Sequence, residues 1–169
     1  MRKVWVLTAV LLLAALSVVG TNALARGDGD DEFEAKLTGF QEVPAISTGA
    51  RGKFKAELDD EELSYKLTYS GIEGGTAVAA HIHFGQRGVN GGVSAFLCGG
   101  GGKPACPATG GTVTGVIVPA DVIGPAAQGI APGEFDELIE AMRAGVTYAN
   151  VHSAPMWPGG EIRGQIRED

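Results

Sequence analysis

Three histidines are the residues of this chain best placed to do chemistry. His81, His83 and His152 are its only imidazoles. His81 and His83 are two apart in a β-patterned run, so their side chains leave the same face of one strand. At that spacing the Cβ atoms lie roughly 6–7 Å apart, within reach of one shared ion. His152 sits on another expected strand near the C-terminus and can bring a third nitrogen. Three imidazoles with an open position suit a mononuclear zinc site, and imidazole also suits copper. Asn150, Glu161 and Arg163 are the candidates to brace such ligands from behind. The plain role of Glu161 and Arg163 is to alternate onto the solvent face of the last strand. Asn150 shares a face with Tyr148 and His152. Met156 offers a soft thioether to copper, although a Pro-flanked loop suits it better for packing beside Trp157. The plainer reading of the trio is also the preferred one. In it the imidazoles hydrogen-bond within the fold, or in a polar cleft, and hold nothing.

The segments that carry these residues read as strands. Phe33, Ala35 and Leu37 alternate with polar residues, as do Phe54, Ala56 and Leu58, then Leu63, Tyr65, Leu67 and Tyr69. A period of two marks strands with one buried face. Asp59-Asp60-Glu61 predicts a hairpin turn between the second and third runs. Val78, Ala80, Ile82 and Phe84 make the next apolar row, opposite to the face of His81 and His83. Val93–Leu97, Thr112–Val118, Tyr148–His152 and Glu161–Ile166 complete about eight short strands, the pattern of a β-sandwich or barrel. One helix interrupts near 133–144. Phe135, Leu138, Ile139 and Met142 form its apolar stripe, acidic residues stand at its start, Arg143 at its end, and Gly145 can stop it. A short turn is also expected at 120–123.

The ends and the charge bound the setting. Arg2 and Lys3, the apolar run Val4–Val19 and the Ala23-Leu24-Ala25 site read as a cleaved export signal over residues 1–25. Residues 26–32 read as an acidic flexible arm and 33–169 as one domain. The chain carries a net charge of −7, more negative once Arg2 and Lys3 are removed. That excess repels nucleic acid and anionic membranes and leaves cations or basic surfaces as partners. Secreted, periplasmic and wall-associated fates all fit, with no membrane span after cleavage. Cys98 and Cys106, the only cysteines, are expected to form a structural disulfide around a Gly/Pro-rich loop. Such a bridge is worth roughly 2–3 kcal/mol.

Several phrases resemble one family. Leu37-Thr38-Gly39-Phe40-Gln41-Glu42-Val43-Pro44 resembles the "L-x-G-x-x-E-V-P" opening of CHRD (chordin-type) domains. Ala80-His81-Ile82-His83-Phe84-Gly85 resembles their "A-H-I-H-x-G", and Asn90-Gly91-Gly92-Val93 the N-G-x-V that follows. Tyr148–Ser153 and Gly160–Ile166 resemble the closing "Y-x-N-V-H-[ST]…G-E-I-R-G-Q-[IL]". Ala45 and Trp157 are small departures. The resemblance implies an immunoglobulin-like or Cu,Zn superoxide-dismutase-like antiparallel sandwich in a stand-alone secreted form. In animal chordins the domain accompanies cysteine-rich repeats that bind growth factors. Those repeats are absent here, so that activity is not carried over. Three histidines are too few for the two-metal dismutase centre. Gly99–Lys103 lacks the spacing and hydroxyl of a phosphate loop, and no G-x-S-x-G elbow occurs. The expectation is therefore an exported non-catalytic binding or structural module with an unknown extracellular partner. The alternative is a mononuclear zinc or copper protein using His81, His83 and His152, extending to a metal-dependent enzyme.

Overall fold

The computed structural model describes residues 31–169. The expected export signal and most of the acidic arm lie outside the described residues. Of that arm, Asp31 forms an ion pair with Arg143, and Glu32 is the first residue of a strand.

The described residues form nine strands and one α-helix: β1 (Glu32–Thr38), β2 (Arg51–Asp59), β3 (Glu62–Ser70), β4 (Gly75–Phe84), β5 (Gly92–Cys98), β6 (Gly110–Ile117), α1 (Phe135–Arg143), β7 (Thr147–Pro155), β8 (Trp157–Gln165) and β9 (Arg167–Glu168). The strands form one antiparallel sheet in the order β5-β4-β7-β8-β1-β2-β3-β6, with β9 added beside β1. The sheet curls until β5 and β6, its two ends, approach each other, which makes it nearly barrel-shaped. This is the expected all-β antiparallel architecture, realised as a single sheet closed around its oily face.

The alternating residues fill the inside. Phe33, Ala35, Leu37, Phe54, Ala56, Leu63, Tyr65, Leu67 and Tyr69 are all buried. Each large apolar side chain taken out of water contributes about 1.5–3 kcal/mol. The β2–β3 hairpin turns through Asp60 and Glu61, and Asp60 takes the left-handed φ of +50° that aspartate tolerates. Two tyrosines tie the ends of the sheet together from within. Tyr65 on β3 donates to the Leu97 carbonyl on β5 at 2.7 Å, and Tyr69 donates to the Pro107 carbonyl at 2.5 Å. The Cys98–Cys106 bridge is formed and closes the loop that leads from β5 toward β6.

The helix follows its stripe. Phe135, Leu138, Ile139 and Met142 are buried, and Arg143 stands in the last turn. Gly145 at φ +67° lets Gly145 N–H reach the Met142 carbonyl and Val146 N–H the Ala141 carbonyl, a Schellman stop. The turn expected at 120–123 is a single 3-10 turn, Pro119–Asp121.

One core assignment is corrected. Val78 was expected inside but is 44% exposed, and Ala77 is buried in its place. A bulge between Ala77 and Ala79 gives β4 one residue more than β7 at that point. The extra residue breaks the alternation there. Beyond the bulge the expected phase returns, with Ala80 and Ile82 in the core.

Candidate functional site

The sheet has a second packed layer, on its outer face, and it is polar. Across β4, β7 and β8 the register sets His81 opposite Asn150 and Asn150 opposite Arg163. One step along, His83 faces Tyr148 and Tyr148 faces Gln165. Period-two alternation sends these six side chains to the same side. The loop after β1 and the loop 85–91 fold over them. Hence His81, His83, Asn150, Arg163 and Gln165 are buried without belonging to the apolar core.

The three imidazoles converge. Their donor atoms lie within 4.8 Å of one another. His81 Nδ1 is 2.9 Å from His152 Nε2. His83 Nδ1 is 3.1 Å from the Gly91 carbonyl, and His152 Nδ1 is 2.9 Å from the Pro158 carbonyl. A carbonyl only accepts, so His83 and His152 carry their protons on Nδ1. His152 Nε2 is then a lone pair, so His81 Nδ1 must be the donor to it. The Nε2 atoms of His81 and His83 are buried and have no partner.

Burial keeps these rings neutral. It pushes His81 down to about 3, with the neighbouring His152 and His83 adding to the effect. It pushes His83 down to about 4, against the Gly91 hydrogen bond, which favours the charged ring. His152 is lowered by burial as well, opposed by its bond to Pro158. Neutral imidazoles with bare nitrogens are the form that ligates a metal.

The surroundings hold the rings still. Phe96 meets His81 edge-on at 4.5 Å between centroids, and Tyr148 stacks on His83 at 4.7 Å with an interplanar angle of 3°. The Arg163 guanidinium carbon lies 3.4 Å from the centre of the Tyr148 ring. Arg163 also donates to Asn90 Oδ1 and to the Gln86 and Val89 carbonyls at 3.2, 3.2 and 2.7 Å. It thereby fixes the loop that supplies Gly91. Gly91 itself leaves no room for a side chain, because a Cβ there would meet the Phe84 carbonyl oxygen at 1.7 Å.

Of the expected bracing residues, Asn150 and Arg163 are brought to the trio. Asn150 lies opposite His81, and Arg163 reaches His83 through Tyr148. Glu161 turns elsewhere, accepting from Thr48 Oγ1 and from the Glu73 and Gly74 amides at 2.9, 2.8 and 3.1 Å. Burial raises the Glu161 pKa, but donors from Ser153, Glu73, Thr48 and Gly74 outweigh it and leave it lowered. The expected solvent exposure of Glu161 and Arg163 is corrected, since they are 0% and 1% exposed. The loop 85–91 covers Arg163, and the loop after β1 together with the segment between β3 and β4 covers Glu161. Met156 does not pack beside Trp157 as expected either; it is 62% exposed.

Glu42 and Tyr148 are functional neighbours that pattern-reading did not single out. Asn150 Nδ2 donates to Glu42 Oε1 at 2.5 Å. Burial pushes the Glu42 carboxyl up to about 7, against the nearby Arg163 charge and its bonds to Val43 and Asn150. The only signal for Glu42 was its place in the E-V-P phrase.

No curated protein and no solved structure matches the chain. Residues 33–166 match the model of the CHRD domain, a span that takes in every residue of the polar layer, and the chain belongs to the CHRD domain family.

Proposed function

We propose that this chain is an exported, non-catalytic binding module of the CHRD family whose ligand is one zinc or copper ion, held by His81, His83 and His152. The observation that carries the reading is the convergence of three neutral imidazoles, one of which, His83, turns a buried Nε2 with no partner toward the trio. Buried polar atoms are rarely left unpaired, and an ion is one thing that satisfies them. Zinc–nitrogen bonds of 2.0–2.1 Å in a tetrahedron put the nitrogens about 3.3 Å apart. His81 Nδ1 and His152 Nε2 are already 2.9 Å apart, and the ligand atoms of all three rings, within 4.8 Å of one another, would have to close toward that spacing. Export is supported by the signal-like residues 1–25 and by the disulfide, which persists in oxidising compartments. None of the described helices is long and apolar enough to cross a membrane. The preference for a non-catalytic role rests on family membership and on the lack of a complete catalytic set in the sequence.

The test is metal content of tag-free protein after incubation with zinc or copper and dialysis. About one ion per chain is expected for three converging imidazoles, and less than about 0.1 removes the reading. His152 is the side chain to truncate. It is the least buried of the three, whereas His83 is 8% exposed and stacked on Tyr148, so its loss also disturbs packing. His152→Ala should lower the metal content sharply with the fold intact.

A further inference from the structure

We infer that His81 would ligate the ion through Nδ1, not Nε2, and that Asn150 Oδ1 would accept a hydrogen bond from the proton this places on Nε2. The inference rests on the metal reading above and assigns Asn150 a positioning role in it.

The three histidines are not equivalent. His83 and His152 each spend Nδ1–H on a main-chain carbonyl, so their second nitrogen is already braced and Nε2 is the ligand atom. Metal-bound imidazoles nearly always donate their remote N–H to an acceptor in this way. His81 is turned the other way. Its Nδ1 points into the trio, 2.9 Å from His152 Nε2. That separation is close to the distance between two nitrogens that share one ion. Presenting Nε2 instead requires the ring to turn over while Phe96 abuts it at 4.5 Å and His83 at 5.3 Å.

Binding through Nδ1 has a proton requirement. Without metal, Nδ1 carries the proton it donates to His152. The ion takes that place, and the ring, still neutral, carries its proton on Nε2. That buried atom then needs an acceptor. Asn150 lies directly opposite His81 in the β4–β7 pairing, and its Oδ1 is buried with no partner. The Asn150 amide is oriented by its Nδ2 bond to Glu42, which leaves the oxygen for the ring. In the metal-free tautomer His81 Nε2 and Asn150 Oδ1 are both acceptors, and neither has a partner; a proton on Nε2 would give the Asn150 oxygen a donor to turn toward. Glu42, Asn150 and His81 would then form a chain from the covering loop to the ion.

The experiment is long-range proton–nitrogen NMR on uniformly labelled, tag-free protein, without metal and with zinc alone. Without zinc, all three histidines should show the Nδ1–H tautomer. With zinc, His81 should switch to Nε2–H while His83 and His152 keep Nδ1–H. Asn150→Leu should bind zinc about 10–100-fold more weakly, and the double variant Glu42→Gln with Asn150→Asp, which keeps an acceptor beside His81 without setting two carboxylates face to face, should recover most of that loss. Zinc-loaded wild type with Nδ1–H on all three rings overturns the inference while leaving the metal reading standing. Failure to bind zinc and copper alike overturns both. The wild-type tautomer decides the matter even where Asn150→Leu does not fold.

Discussion

Arg163→Leu probes the polar layer most directly. The side chain is 1% exposed and serves three acceptors on the loop 85–91 besides covering Tyr148. A hydrogen bond from a charged donor contributes about 1.5–3 kcal/mol, and a desolvated cation–π contact about 2. The full sum is not expected, since one side chain makes all of these contacts and they are not additive. Two reliefs lower it further. Gln86, Val89 and Asn90 are exposed, so their oxygens can turn to water, and Glu42, already raised to about 7, can protonate once the cation is gone. The net loss should be about 3 kcal/mol, or about 10 °C in Tm for a domain of this size. Urea and thermal unfolding measure it. Hydrogen exchange should also show the Val89 amide losing protection ahead of the inner strands. Arg163→Lys should recover less than half, because an ammonium is a point charge and cannot span the three acceptors. A loss under about 1 kcal/mol in Arg163→Leu, or full recovery in Arg163→Lys, refutes the claim that this guanidinium holds the loop.

Other outcomes follow from the same geometry. His152→Ala removes the acceptor of the buried His81 Nδ1–H and should cost about 1–3 kcal/mol, while metal content falls; retained metal would show that another ligand set is in use. Replacing Cys98 and Cys106 together by serine should cost about 2.5 kcal/mol, the chain-entropy value for a loop with a sequence separation of 8; no change in urea midpoint would contradict this. Burial, with Asp121 nearby for Tyr65, raises both Tyr65 and Tyr69 to about 12. Their contribution is complete below about pH 10 and fades as pH rises toward 12, because the unfolded chain ionises first. Stability should fall there by up to about 1.4 kcal/mol per pH unit for each tyrosine. In a Tyr148→Phe variant, where Tyr65 and Tyr69 are the only tyrosines, tyrosinate absorbance that appears near pH 10 before any loss of circular dichroism would refute it.

The inner face of the sheet was legible because a period of two is a direct print of one oily side. Leu63, Tyr65, Leu67 and Tyr69 all fall where alternation sends them. Alternation also put His81 and His83 on the face away from the aliphatic core, and the structure agrees. The same rule says only that the other face differs, not what covers it. Glu161 and Arg163 therefore read as solvent residues, although loops distant in sequence bury them. Val78 was misplaced because a bulge changes the phase without any residue type that announces it. The family phrases carried more than periodicity did at the site. Glu42, Asn90, Asn150 and Arg163 sit in four separate phrases and meet only after folding.

The odd residue at the bulge has a further consequence. Beyond it, each imidazole occupies its side of the sheet by parity, so substitutions can alter the trio's chemistry but not its facing. A single insertion or deletion between Ala79 and His83 would exchange odd for even. It would bring an imidazole into the oily interior and put Ala80 or Ile82 among the polar groups. The segment should therefore accept many point changes and almost no change in length.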